Sequence, residues 1–212
     1  MAAAPADDSA ERARIEAAIP KGSRIVALDE RGISLGTQAL AGYGIGQRLE
    51  FLLIPISFGI GVASVPMVGM ALGAGDVQRA RRVAWTAGGA SAVNLALIGA
   101  VVTLAPDLWA RLFTQDDTVL GFARQYLVTA GPGFSFFGLG LTLYFASQGS
   151  GRMVGPVMAG TVRLLLVAGA GYWLSAQHAE AGDFYILVAV GMVLYGVVTA
   201  ITVRLTPWDK RH

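Results

Sequence analysis

Four stretches of this chain run for at least 20 residues without an Asp, Glu, Lys or Arg: Phe51–Gly75, Val83–Pro106, Gln125–Gly151 and Phe184–Val203. A fifth, Pro156–Ser175, is apolar except for Arg163. About 20 apolar helical residues cross a hydrocarbon core about 30 Å thick. A charge at the centre of that core costs roughly 2.5–3.5 kcal/mol on insertion scales, so charges collect in the gaps between spans. The pattern predicts an all-α integral membrane protein with about five transmembrane helices. Their expected extents are roughly 43–72, 84–105, 123–147, 156–175 and 184–204. A soluble fold is excluded on the same ground: with 14% charged residues, the chain cannot cover several helices that are apolar on every face.

The remaining composition narrows the chemistry. Of 16 basic residues only Lys21 and Lys210 are lysines, and the net charge is +2. The basic character is that of loop arginines, not of a nucleic-acid surface. The chain has no cysteine, which removes disulfides, thiolate metal sites and cysteine catalysis. Its two histidines, His178 and His212, cannot build a His-rich metal centre. Residues 1–38 read as a short soluble leader that does not fold independently. Ser9 could cap a helix over Ala10–Ala18, Arg24–Leu28 reads as a short strand, and Asp29–Gly32 as a turn. Residues 1–24 lack the apolar run of a signal peptide.

Within the membrane region, Pro55 and Pro66 should kink or break the first span, and Pro132 lies between Gly131 and Gly133 in the third. Trp109 and Trp208 are placed to meet the membrane interface. Loop arginines set the orientation. Arg79, Arg81, Arg82, Arg152, Arg204, Lys210 and Arg211 share one side if the helices alternate, against Arg111 and Arg124 on the other. The richer side, with the tail 206–212, should be cytoplasmic, in a plasma (inner) membrane. An odd number of spans then puts the basic leader outside, a conflict that a further helix before residue 43 would remove.

A few residues could carry chemistry. Arg163 lies about seven residues into its span, and it either locks or gates the bundle or snorkels to the cytoplasmic face. Glu50, with Gln47 on the same helical face, either binds a cation or proton or pairs with an arginine such as Arg48 or Arg124. Asn94, Tyr144 and Gln148 either line a polar cavity or make interhelical hydrogen bonds. Gly73–Asp76 lacks the Lys-Ser/Thr of a phosphate loop, and Asp116-Asp117 reads as solvated acids rather than a metal site. Gly42/Gly46, Gly69/Gly73 and Gly151/Gly155 have the spacing that lets helix backbones approach. No catalytic constellation is present, so no enzyme is expected.

Two resemblances follow. Ala39–Glu50, continuing through Pro55, Phe58-Gly-Ile-Gly61 and Met67-Val-Gly69 to Leu72-Gly-Ala-Gly-Asp76 and Arg79-Ala-Arg81, resembles the multidrug and toxic compound extrusion (MATE) family. Tyr144–Gly149, Gly151-Arg152 and Arg163-Leu164 look like the C-terminal lobe of that family. The resemblance covers roughly 39–205. It implies helices 8–12 of a twelve-helix antiporter that exports cationic small molecules against H+ or Na+, without a further cofactor. Helix 7 and the N-terminal lobe, with the family's proton-linked carboxylate, would then be supplied elsewhere. The chain is accordingly expected to be a truncated or fused fragment, inactive alone. The alternative is a non-transporting membrane subunit that pairs with a separate chain carrying the other lobe. Ala17–Pro20, Val26–Gly32 and Ser34-Leu35 resemble a piece of the small SPOUT-class methyltransferases that act on pseudouridine in ribosomal RNA. The region that binds S-adenosylmethionine in that class is missing, and no methyl transfer is implied.

Overall fold

A computed structural model describes residues 30–177 and 179–208, with side chains from residue 37 onward. The expected helix over Ala10–Ala18, the strand over Arg24–Leu28, His178 and the last four residues lie outside the described part. The chain divides into two compact units, Met1–Leu35 and Gly36–His212, and the apolar spans fall in the second.

The described residues are almost wholly helical. The elements are α1 (Glu30–Gly73), α2 (Val77–Leu104), a short α3 (Asp107–Ala110), α4 (Asp117–Ala130), α5 (Phe134–Ser150), α6 (Val154–Ala176) and α7 (Ala181–Leu205). One turn of 3-10 helix, Gly131–Gly133, joins α4 to α5. Five spans are long and apolar enough to cross a membrane, with α4 and α5 counting as one. Large apolar side chains point outward along all of them: Leu97 is 63% exposed, Leu104 85% and Leu164 67%. The fully enclosed polar groups include Ser57, Ser91, Thr142 and Thr199. This inversion of a soluble core marks a multi-pass integral membrane protein, whose outer surface faces hydrocarbon.

Several local details differ from the sequence expectations. Residues 30–32, read as part of a turn, are already helical. Pro55 and Pro66 sit inside an unbroken α1. Apolar surroundings penalise a broken backbone, so the helix carries both prolines without ending; beside them Ser64 Oγ donates to Gly61 O at 2.6 Å within the same helix. Pro132 does interrupt its helix, because flanking Gly131 and Gly133 permit the tighter 3-10 turn. Trp208 does not present its ring outward. It is 3% exposed and packs with Val68, Ala71, Ala80, Ala84 and Val203.

Packing in lipid depends on close backbone approach, since apolar burial gives no preference for helix over lipid tail. Gly42 and Gly46 form such a ridge within the chain. A Cβ at Gly42 would lie 2.6 Å from Phe122 Cβ, and one at Gly46 would enter the Tyr126 ring. The enclosed hydroxyls add interior bonds: Ser91 Oγ donates to Ser57 Oγ at 3.1 Å, joining α2 to α1.

Helix ends account for most of the acids. Gly75 (φ 79°) makes the left-handed turn after α1, and Asp76 then caps α2 by accepting from Arg79 N at 2.8 Å. The Gly73–Asp76 segment is therefore a hinge between two helices, with a carboxylate where a phosphate loop needs open N–H groups. Asp116 caps α4, and Glu180 with Asp183 forms a capping box on α7. Arg81 donates to Arg204 O at 3.4 Å and Thr206 O at 2.9 Å, fastening the start of α2 to the carbonyl end of α7.

Candidate functional site

Glu50 is the one acid of the described spans that does not lie in a helix's first turn. The α-helical repeat puts Tyr43, Gln47 and Glu50 on one face of α1. Opposite them, α4 supplies Tyr126 and α7 supplies Tyr185. The Tyr126 hydroxyl donates to Glu50 Oε1. Gln47 Nε2 donates to the Tyr43 hydroxyl at 2.5 Å. The Tyr126 ring meets Tyr43 edge-on at 5.1 Å and Tyr185 edge-on at 5.2 Å, while Tyr43 and Tyr185 lie near-parallel at 6.4 Å. Tyr185 closes the group by donating to Ala39 O at 3.1 Å. Gly46 is the residue that admits the Tyr126 ring to this face.

Neither arginine weighed as a partner for Glu50 forms an ion pair with it. Arg124 is bidentate on Asp107, through Nε at 2.5 Å and a terminal nitrogen at 2.9 Å, and Arg111 joins the same carboxylate at 3.2 Å. Arg48 lies over the Phe113 ring at 5.0 Å. Asp107 is exposed, and its hydrogen bond from Arg124 holds its pKa below the ordinary carboxylate value. The carboxylate of Glu50 thus keeps one strong hydrogen bond and an otherwise aromatic setting, which suits a proton or a cation.

Depth refines this. Glu50 lies 23 residues before Gly73, roughly 35 Å along a helix that exceeds the hydrocarbon thickness. It belongs near one membrane face. At the same level Trp109 Nε1, from the segment after α2, donates to Ile45 O at 2.9 Å. Beside the cluster opens an apolar cavity of about 430 Å³, lined by Leu40, Tyr43, Val167, Phe184, Tyr185 and Val188 among others. Small-molecule sites run from roughly 300 to 1,000 Å³.

The six residues singled out from the sequence do not form one site. Gln47 and Glu50 meet in the tyrosine cluster. Arg163 makes no contact with that cluster, although its charge acts on Glu50 and Tyr43; it is the tenth residue of α6, about 14 Å from its start. It is deeper than the sequence suggested because α6 begins two residues before Pro156. Its guanidinium covers the Phe137 and Tyr195 rings at 5.6 and 5.8 Å. Tyr144 packs edge-on against Phe145 at 5.6 Å. Asn94 is exposed and donates to Ala90 O of its own helix at 2.8 Å, so it makes no interhelical bond. Gln148 is exposed near the end of α5. Sequence reasoning missed Tyr43, Tyr126 and Tyr185. Tyr43 could have been found from its spacing to Gln47, but Tyr126 and Tyr185 become neighbours only through tertiary packing.

Comparison with known proteins identifies the family of the chain. Residues 33–173 match the MatE family. A probable multidrug resistance protein NorM of Rhodopseudomonas palustris is 30% identical over 166 residues, which is 76% of this chain and 35% of that protein. Multidrug and toxin extrusion protein 2 of Mus musculus is 31% identical over 125 residues, 58% of this chain and 21% of that protein. The chain thus spans about a third or less of the transport relatives it matches. A ribosomal RNA large subunit methyltransferase H of Paracidovorax citrulli is 76% identical over 33 residues, 16% of this chain and 21% of that protein. No solved structure matches the chain.

Proposed function

This chain belongs to the MatE family, and from that premise we propose that its five spans form most of one lobe of a multidrug exporter. In that reading the Glu50–Tyr126 pair, with Tyr43, Gln47 and Tyr185, is a cation-accepting station at the outer mouth of the lobe. The observation that supports it is a carboxylate within a span that accepts from the hydroxyl of Tyr126, a member of a cluster of three tyrosine rings, and makes no contact ion pair with an arginine. A small organic cation gains from the ring faces and from the negative charge together. The coupling ion is H+ or Na+, the membrane is the plasma (inner) membrane, and the C-terminal tail is cytoplasmic, where the arginines of the α1–α2 segment also lie. The MatE family is not enzymatic, and we assign no catalytic residue.

Export needs two lobes that rock about a shared site. These five spans by themselves are therefore proposed not to transport, and export would need a second lobe beside them. Purified chain in proteoliposomes should fail to move ethidium under either an imposed proton or sodium gradient. Gradient-driven ethidium movement by the chain alone would overturn the single-lobe assignment. Ethidium binding, read by fluorescence, should weaken about fivefold or more in Glu50→Gln, since one cation contact of this kind is worth roughly 1–2 kcal/mol.

A further inference from the structure

We propose that the cavity beside Arg163 is a binding site for an amphiphilic oxyanion: one carboxylate, sulfonate or phosphodiester head on an apolar body. This is a second site, adjoining the cavity of the Glu50 cluster through the shared wall residue Val167, and it does not rest on the exporter reading.

Charge accounting leads to it. Arg163 sits near the middle of α6 and is only partly exposed. It forms no contact ion pair and no hydrogen bond among the described residues; the guanidinium lies over the Phe137 and Tyr195 rings, and its charge is felt at a longer range by Glu50. The described acids are occupied elsewhere. Asp76, Asp116, Glu180 and Asp183 cap helices, Asp117 lies in the first turn of α4, Asp107 holds Arg124 and Arg111, and Glu50 accepts from Tyr126. A central cation that touches ring faces and no carboxylate is an open position for an anion in contact.

The surroundings are shaped for one. The cavity has a volume of about 470 Å³ and is lined by Phe137, Leu141, Leu164, Val167 and Tyr195 around the guanidinium. That volume is in the range of small-molecule sites, which combine apolar walls with a few placed polar groups. Gly191 on α7 contributes by absence: a Cβ there would lie 3.7 Å from Arg163 Cγ and 3.8 Å from its Nε, so the α7 backbone backs the arginine stem. A planar guanidinium presents paired N–H groups that match two oxygens of one head group. The aliphatic walls take the body. A free organic acid and an anionic phospholipid share this chemistry.

The test uses the full chain in an uncharged detergent, with 2-naphthoate as probe and 2-naphthamide as its neutral counterpart. Wild type should prefer the carboxylate by about tenfold or more. Arg163→Gln should bring the two to parity, Arg163→Lys should keep part of the preference, and Leu141→Trp should block both by filling the cavity. Arg163→Met, which removes the charge but keeps the stem, replaces Gln if that variant does not fold. A second arm reads lipid directly: native mass spectrometry from phosphatidylglycerol/phosphatidylcholine nanodiscs should retain one phosphatidylglycerol on wild type and lose it in the Arg163 variants if the natural occupant is a lipid. Arg163-dependent discrimination in either arm supports the site and identifies the source. Equal acid and amide binding in wild type, together with lipid retention indifferent to Arg163, overturns it.

Discussion

Gly196→Ala tests whether close helix approach holds the bundle together. A Cβ on Gly196 would stand 2.7 Å from the Phe136 carbonyl carbon, 2.8 Å from Phe136 Cβ, and nearer still to the Phe136 oxygen. Ordinary contact begins at about 3.4 Å, and here the obstacle is backbone. α5 and α7 must therefore separate by something near 1 Å, and the Gly140–Tyr195 contact on the same seam, 2.8 Å from a Cβ to the ring, opens with them. Overpacking costs typically 1–3 kcal/mol, while replacing a mid-helix Gly by Ala returns about 0.8–1.0 kcal/mol. The net expectation is destabilisation of up to about 2 kcal/mol. Gly169 and Gly59 have nothing within 4 Å of a built Cβ, so Ala at either should instead stabilise by up to about 1 kcal/mol. Unfolding free energies in bicelles, by SDS titration or steric trapping, would separate the two classes by about 1–3 kcal/mol. If Gly196→Ala proves as stable as Gly169→Ala, the close-approach reasoning fails.

Other expectations follow from single contacts. The chain is free of cysteine, so Gln78→Cys and Gln115→Cys can be labelled without background; an impermeant maleimide should reach Gln115→Cys from outside intact cells and Gln78→Cys only after lysis, and the opposite pattern would reverse the orientation. Tyr126→Phe keeps the enclosed ring but removes the donor to Glu50, which should cost about 1 kcal/mol of stability by the same titration; no change would mean that the hydroxyl does not hold the carboxylate. Asp107 has its folded pKa held below the unfolded value near 3.9, so its stabilisation is present above about pH 4 and lost as pH falls through the folded value. Asp107→Asn should therefore match wild type in strong acid and fall behind it above about pH 4, and parallel pH curves would contradict this.

Span number and class were legible because charge exclusion from hydrocarbon is strong and local: the apolar runs between charged gaps are helical, and the helices run on into the charged gaps, as where α2 takes in Arg79, Arg81 and Arg82. The behaviour of the prolines was less legible. Pro55 and Pro132 look alike in sequence, yet only Pro132 has glycines on both sides to relax into a 3-10 turn. The site was half legible. A carboxylate and an amide at helical spacing mark Glu50 and Gln47 on sight, but their setting depends on Gly46 admitting Tyr126, a fact of interhelical distance. Arg163 was conspicuous as a charge, and its setting over two aromatic rings emerges only from the packing of α5 and α7 beside α6. The match of a short stretch of the chain to a methyltransferase rests on local identity alone.

The single-lobe exporter assignment is tested most directly by a chimera. The segment of the Rhodopseudomonas palustris relative that aligns with this chain is replaced by the corresponding residues of this chain, and ethidium efflux is measured in proteoliposomes under proton and sodium gradients. The account predicts gradient-driven efflux by the chimera, its loss in the Glu50→Gln version, and none from this chain by itself. A chimera that inserts stably yet exports nothing, or one indifferent to Glu50→Gln, would contradict it.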